Sequence, residues 1–269
     1  MTELIGLAIF IGGLFAGFLT GLLGVGGGVV MVPLMYQLFL HLAEPSKVAF
    51  TTAVATSLAV MIFSGSVAAY TYFKQGQLKL QLMAWLGIGT ILGASLGAHV
   101  MIATDDHLVR IGFGVFLWLV AASLFLPRAA LRPHDHVPSW HYNAGLLLIG
   151  MVMGTVSALF GVGGGALLVP ALVVFFGVTI HNAVATSTAI IVLTALFGSV
   201  NYMIIGWDDP LTPANSVGWI HPVAWLLLLP GALFSTRVGI RTASGLSRER
   251  LRDVLVLFQI SVGVRFIFF

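Results

Sequence analysis

One glycine-rich stretch occurs twice along this chain. Residues 17–33 read GFLTGLLGVGGGVVMVP and residues 154–170 read GTVSALFGVGGGALLVP, with nine of the seventeen positions identical. A second block follows each copy, since AVATS occupies residues 53–57 and again residues 183–187. A weaker third block comes after it in both halves. Three matches in the same order indicate an internal duplication.

The chain around these blocks is strongly apolar. Hydrophobic residues make up 59% of the 269 positions and charged residues 8%, whereas an ordinary soluble domain is about a quarter charged. This composition excludes a soluble globular domain and a disordered chain. Runs without Asp, Glu, Lys or Arg, such as 48–73 and 136–207, can hold the roughly 20-residue helices that cross a bilayer. Because the runs are continuous rather than alternating, they predict an all-α polytopic membrane protein and not an outer-membrane barrel.

The polar, proline-containing stretch 128–140 is typical of a linker. We therefore expect a first transmembrane repeat at 1–127, a polar cytoplasmic linker at 128–140 and a second transmembrane repeat at 141–269. Each half holds about five membrane helical elements, the first ones broken at GVGGG, and an odd number per half predicts inverted-topology repeats. The expected elements are 4–23, 27–41, 47–73, 80–102 and 108–126, then 141–160, 165–177, 180–205, 218–239 and 249–268.

The charged loops predict an orientation, because cytoplasmic loops are enriched in Lys and Arg. In the first half the loop at 74–79 is positive and Asp105 and Asp106 follow it. In the second half Asp208 and Asp209 come first and an arginine cluster follows. Equivalent loops thus carry opposite signs, which favours inverted repeats with both termini external. The second element of each half is short for a full span, so we expect a crossing pair or a hairpin formed with the first element.

The paired glycine segments are the predicted binding site. Consecutive glycines lower helix propensity and proline lacks a backbone N–H, so Pro33 and Pro170 are expected to mark helix breaks. A helix that restarts after a break aims free N–H groups and a partial positive charge inward, which favours an anion. Such mirrored segments are typical of transporter sites, although tight helix packing through small residues is the alternative. The predicted glycine ligands are Gly26, Gly27, Gly28, Gly163, Gly164 and Gly165.

Polar side chains follow both breaks. Thr56 and Ser57 end the first AVATS block, Thr186 and Ser187 end the second, and Asn182 adds an amide. Their hydrogens could bind the oxygens of a small oxyanion. Bonding to a neighbouring helix or to the carbonyl four residues back is an equal alternative for each hydroxyl, but the set as a whole favours binding.

A basic residue ends the third repeat block of each half, His99 in 93–99 and Arg237 in 231–237. Ionisable residues in a membrane are functional hypotheses, so both join the predicted anion pathway, with interfacial snorkelling as the alternative. The long apolar runs lack Asp and Glu, which disfavours a cation site or a carboxylate proton relay. An anion leaving an inside-negative compartment gains about 2.3 kcal/mol per charge per 100 mV, so export could proceed without a coupling ion.

The twin LxGVGGGxxxVP motifs, each followed by AVATS, resemble the sulfite exporter TauE/SafE family, also called the toluene-sulfonate uptake permease family. The resemblance covers essentially both halves. It implies a multi-pass permease of the bacterial inner membrane for sulfur-containing oxyanions, such as sulfite, organosulfonates or related small carboxylates. We therefore expect a secondary transporter that exports its substrate by alternating access, although members of the family run in either direction.

Other functional classes stay open or are disfavoured. An anion channel of the same architecture and a permease for another small organic anion are the alternatives. His134, Asp135 and His136 with His141 have ligand-type side chains, but a solvated linker is the favoured interpretation, so we predict no metal, no cofactor and no enzyme activity. The GVGGG runs lack the Gly-Lys-Ser/Thr ending of a P-loop. A small anion and the lipid bilayer are the expected partners, without nucleic acid, and the oligomeric state stays open.

Overall fold

The computed structural model describes residues 2–23, 26–42, 44–125, 139–242 and 248–268. Within these ranges the secondary structure is α-helical, with one isolated bridge between Val217 and Ile220, which confirms the all-α prediction. Most of the predicted linker lies outside the described residues, so the proposed boundaries between the two repeats stay a prediction. The helices are α1 (Thr2–Leu23), α2 (Gly28–His41), α3 (Ser46–Lys74), α4 (Leu80–Ala103), α5 (Asp106–Ser123), α6 (Ser139–Phe160), α7 (Gly165–Phe176), α8 (Ile180–Ile205), α9 (Pro222–Thr242) and α10 (Arg248–Phe268).

The helix ends agree with the predicted elements to within a few residues. The start of α9 differs most, because an element was expected from residue 218 and the helix begins at Pro222. Gly218 adopts φ +56° and the bridge from Val217 to Ile220 closes a turn, so the chain before Pro222 cannot be helical. Proline is favourable in the first helical position because its missing N–H would have no partner there.

Six described helices are long and apolar enough to cross a membrane, namely α3, α4, α5, α6, α8 and α9. Helix α2 has 14 residues and α7 has 12. At about 1.5 Å per residue, neither reaches across the roughly 30 Å of hydrocarbon in a bilayer. The chain is therefore a multi-pass membrane protein in which two short helices end inside the bundle.

Two parallel helix pairs are held together by glycine. Helix α1 lies along α9, and α4 lies along α6. In α1, a Cβ added at Gly13, Gly17 or Gly21 would collide with the α9 backbone at Leu228, Ala232 and Thr236 in turn. In α4, Gly89, Gly93 and Gly97 contact α6 in the same way at Leu147, Met151 and Thr155. Close backbone approach through small residues is the usual source of helix association in membranes.

Helices at equivalent positions in the two halves run in opposite directions where they meet. In the α3–α8 pair, Gly65 lies beside Ile191 and Leu58 beside Gly198, an antiparallel order. In the α5–α10 pair, Gly114 lies beside Ile267 and the Trp118 indole N–H donates to the Ile260 carbonyl at 3.4 Å, again antiparallel.

The centre of the bundle is formed by α3 and α8. The helices differ in the buried share of their own most apolar 18-residue windows. The buried share of that window is 89% in α3 and 67% in α8, but only 39% in α5 and in α9. The other helices therefore enclose this pair, and the side chains of Thr56, Ser57, Thr186 and Ser187 face protein rather than lipid.

Candidate functional site

Both GVGGG runs interrupt a helix. Helix α1 ends before Gly24 and α6 ends before Gly161, and new helices begin at Gly28 and Gly165. Gly24 and Val25 lie outside the described residues. The interruption has a backbone cause, because Gly26 (φ +80°), Gly161 (+65°), Gly163 (+80°) and Gly164 (+70°) adopt the left-handed region that favours glycine.

The two interruptions lie against each other in the middle of the protein. A Cβ at Gly26 would overlap the carbonyl oxygen of Val162, and a Cβ at Gly28 would overlap that of Gly161. A Cβ at Gly161 would lie 2.9 Å from the Val54 Cα in α3. The fold thus brings two distant sequence motifs into backbone contact, and any side chain at these glycines would separate them.

The N-termini of α2 and α7 lie at this contact. Neither helix has a side-chain cap or an acidic residue in its first turn. The first backbone N–H groups of a helix have no partner within the helix and carry a partial positive charge. Two positive helix ends therefore converge without a neutralising carboxylate on either helix, which is an arrangement suited to an anion.

The four predicted hydroxyls are all fully buried, on the central helices α3 and α8, but their bonding differs. Ser57 donates to the Gly161 carbonyl at 3.0 Å, which ties α3 to the second interruption. The Thr56 hydroxyl oxygen accepts the backbone N–H of His221 at 3.1 Å. Thr186 is fully buried, and its hydroxyl has no hydrogen-bond partner among the described residues. Thr56 and Thr186 therefore still have hydrogens to donate to a bound oxygen.

The family model of the sulfite exporter TauE/SafE matches residues 9–266. The chain belongs to this family. The probable membrane transporter protein YunE of Bacillus subtilis is 31% identical over 95% of both chains. A probable membrane transporter protein of Haemophilus influenzae is 26% identical over 98% of both, and one of Methanocaldococcus jannaschii is 26% identical over 92% of this chain and 90% of its own. No solved structure matches the chain.

Membership of the TauE/SafE family makes this protein a membrane transporter and not an enzyme. Within the described part of the chain, no three His, Cys, Asp or Glu side chains are grouped so as to hold a metal ion. The predicted linker residues His134, Asp135 and His136 lie outside the described residues.

Two groups of predicted residues lie elsewhere in this TauE/SafE transporter. His99 and Arg237 are exposed on the outside of the bundle, and the His99 Nδ1 is 2.8 Å from the Ser95 carbonyl of its own helix. Asn182 is half-buried near the start of α8. The structure therefore brings Ser57 into contact with the second glycine segment, and it keeps the two basic side chains on the outer surface.

The predicted helix-breaking prolines lie inside α2 and α7 rather than at the interruptions. Each one removes the N–H that would bond to the carbonyl four residues earlier, at Val29 for Pro33 and at Ala166 for Pro170. The glycines interrupt the chain because their left-handed φ values cannot continue a helix. The prolines instead weaken the first turns of the helices that follow.

Sequence reasoning missed Met61, a fully buried side chain that touches both interruptions. Its Sδ lies 3.0 Å from where a Cβ of Gly163 would be, and 3.5 Å from that of Gly26. Met61 is one helical turn beyond Ser57, so helical spacing places it on the same face of α3. Apart from this spacing, nothing in the sequence distinguishes Met61 from the other apolar residues of α3.

Sequence reasoning also missed His221, which precedes α9. Its ring Nδ1 accepts the N–H of Ala224 at 3.3 Å and so caps the helix, and the ring packs on Phe39 with centroids 5.4 Å apart. Burial lowers the pKa of the His221 imidazole, an effect partly offset by backbone hydrogen bonding and by the Glu44 carboxylate. The neutral ring is therefore favoured. The sequence feature that could have identified His221 is its position directly before Pro222, a proline in a predicted helical element.

Proposed function

We propose that this transporter carries a small sulfur-containing oxyanion, sulfite or an organosulfonate, out of the cell. The observation that carries the proposal is the pair of uncapped helix N-termini at the contact between the glycine segments, with buried hydroxyls on the central helices α3 and α8. The family description, sulfite exporter, supports the same class of substrate.

The donor set is suited to an anion with several oxygens. Backbone N–H groups from α2 and α7 can each reach a different oxygen, while the Thr56 and Thr186 hydroxyls supply hydrogens from opposite halves. Donors of this kind bind an oxyanion without a full positive charge. Since transport requires release as well as binding, partial charges serve the function better than a buried arginine would.

We propose that the substrate is moved by alternating access between inverted repeats. The antiparallel courses of α3 with α8, and of α5 with α10, support the inversion, because equivalent elements of inverted repeats run in opposite directions. Backbone contact between the two glycine segments closes the site, so substrate binding requires them to separate. The glycine-packed pairs α1–α9 and α4–α6 are the natural rigid bodies for this movement.

Orientation can be tested directly because the chain contains no cysteine. We place Gln75 in the cytoplasm and Leu211, which is 61% exposed, outside. In intact cells, Leu211→Cys should react with a membrane-impermeant maleimide, whereas Gln75→Cys should react only after permeabilisation. The opposite pattern would reverse the proposed topology and, with it, the voltage argument for export.

The function itself is tested by counterflow of labelled sulfite into sealed proteoliposomes that contain the purified protein. Unlabelled sulfite, a sulfonate, sulfate and chloride are compared as internal anions. Accumulation driven by sulfite or the sulfonate, and not by chloride, is the expected result. Exchange of other organic anions alone would contradict the substrate class, and unitary conductance in planar bilayers would replace the carrier with an anion channel.

The same assay can compare two glycine variants, of which Gly28→Ala is the test and Gly76→Ala the control. Gly28→Ala places a methyl group on the Gly161 carbonyl, whereas a Cβ at Gly76 has open space around it. We expect Gly28→Ala to stop counterflow and Gly76→Ala to retain it. Equal counterflow in the two variants would contradict a site between the glycine segments.

A further inference from the structure

The connection between α8 and α9, residues 206–221, is much longer than its counterpart in the first half. The equivalent connection between α3 and α4 covers only residues 75–79 and is largely exposed. In the longer connection, Trp219 is 2% exposed and its backbone N–H donates to the Tyr202 carbonyl at 3.3 Å. The end of this segment is therefore folded into the bundle rather than lying on its surface.

His221 is the point where this inserted segment reaches the central helix. Its backbone N–H donates to the Thr56 hydroxyl in α3, its ring caps α9 at Ala224, and its ring packs on Phe39 in α2. One residue therefore contacts three helices. Since the ring interactions fix the turn before α9, they also fix the direction of the backbone N–H that Thr56 accepts.

We propose that His221 is a positioning residue for Thr56, which it holds with the hydroxyl hydrogen directed to the transported anion. This inference rests on the proposed function, because it assigns Thr56 to the binding of that anion. The Thr56 oxygen has one hydrogen-bond donor in the His221 N–H, and the Thr56 hydrogen meets no acceptor among the described residues. The arrangement exists only while Nδ1 of the ring is unprotonated, because a protonated Nδ1 cannot accept the Ala224 N–H.

Positioning by His221 makes transport depend on pH. We call the pH below which the positioning, and with it efficient transport, is lost the acid limit. Glu44, in the connection between α2 and α3, is the charged group that acts on the ring, whereas Phe39 and Thr56 do not titrate in this range. The capped arrangement is complete above the ordinary histidine pKa of 6.5 and is lost as pH falls through the lower value of the folded protein. Glu44→Gln removes the charge that favours the imidazolium, and so should move the acid limit to still lower pH.

The test compares His221→Ala with His221→Asn in sulfonate counterflow between about pH 5 and about pH 8. A sulfonate stays an anion over this range, so the substrate does not titrate. Asparagine can cap a helix without titrating, and should retain neutral-pH transport while removing the acid limit. Alanine should raise the half-saturating concentration about 3- to 10-fold at neutral pH, as expected for one weakened hydrogen bond, and should approach the wild-type value in acid, where the wild-type cap is lost as well. An unchanged acid limit in His221→Asn, or wild-type saturation at neutral pH in His221→Ala, would overturn the proposal.

A second measurement does not depend on transport. The protection factor of the residue 221 amide, which is its exchange rate corrected for the intrinsic effect of pH, should be high at neutral pH. It should be lower in acid, in Thr56→Val and in His221→Ala. Protection that none of these changes alters would overturn the positioning role. If the wild-type protein exchanges no sulfonate at all while the amide behaves as described, the proposed substrate is wrong and the link from His221 to Thr56 stands.

Discussion

The two AVATS blocks have the same five residues but different surroundings. Thr56 accepts a hydrogen bond from His221, whereas the buried hydroxyl of Thr186 has no partner among the described residues. The difference follows from the connections between helices. A long connection, 206–221, reaches Thr56, and the short one, 75–79, cannot reach the equivalent threonine. The two blocks therefore have matching side chains, and the longer connection near one of them makes their hydrogen bonding unequal.

The two glycine segments differ in a similar way. Gly27 has φ −71° in the right-handed region, whereas its repeat partner Gly164 has φ +70°. A side chain at Gly27 is limited by space, because its Cβ would lie 2.7 Å from the Ala16 carbonyl oxygen. At Gly164 the backbone conformation itself disfavours any other residue. Glycine is therefore required for lack of space at one position and for its backbone conformation at the other.

The largest effect is expected for Gly161→Ala, measured against Gly76→Ala. Both glycines have nearly the same φ, +65° and +68°, so the backbone strain of alanine is matched at about 1–3 kcal/mol. Only Gly161 is also crowded, by Val32 Cγ2 and Val54 Cα at 2.9 Å from the new methyl group. We expect Gly161→Ala to abolish counterflow and to lose about 1–3 kcal/mol more stability in thermal unfolding. Equal melting and equal transport in the two variants would show that Gly161 is not packed tightly against Val32 and Val54.

The next effect separates the two threonines. Thr186→Val removes a buried hydroxyl without a described partner, so stability should be unchanged or rise by about 1 kcal/mol. Thr56→Val leaves the His221 N–H unpaired and should lower stability by about 1 kcal/mol. Both should reduce counterflow about tenfold or more if each hydroxyl binds the anion. Thermal unfolding and counterflow on the same samples test this, and stability changes of the same sign would contradict the asymmetry.

A smaller effect is expected for Ser57→Ala, because the Ser57 hydrogen is already donated to the Gly161 carbonyl. Loss of that bond should cost about 1 kcal/mol of stability and slow transport less than Thr186→Val does. Ser66→Ala is the control within the same helix, since Ser66 is exposed and bonds only to the Ile62 carbonyl among the described residues. If Ser57→Ala stops transport at unchanged stability, Ser57 binds the anion directly.

The smallest effect is expected for His99→Gln and Arg237→Gln. Both side chains are exposed on the outer surface, away from the glycine segments. Surface charges contribute little to stability, and we expect counterflow to change by no more than about twofold. A loss of tenfold or more in either variant, measured at constant protein amount, would return that residue to the anion pathway.

The helical elements could be predicted because the bilayer imposes a simple rule on the chain. Backbone groups in hydrocarbon must bond internally, so each long apolar run becomes a helix. The two GVGGG runs become interruptions, because several of their glycines adopt left-handed φ values. The start of α9 was predicted four residues too early, because Gly218 and the turn at 217–220 interrupt the helix within an apolar stretch. The place of His99 and Arg237 in the pathway stays a prediction, because the sequence shows that a residue is ionisable but not which face of its helix it occupies. The structure places both side chains on the outer surface.

Apolar runs, the repeated motifs and the glycine clusters were enough to establish a polytopic helical protein, two interrupted segments and a set of buried hydroxyls. These features are local, because composition and helical period determine them within a few turns. Packing alone established which hydroxyls are bonded, that Met61 touches both interruptions, and that His221 reaches Thr56 across 165 positions of sequence. Such contacts depend on how helices from different halves meet, and no local pattern encodes the distance between two residues that only the folded chain brings together.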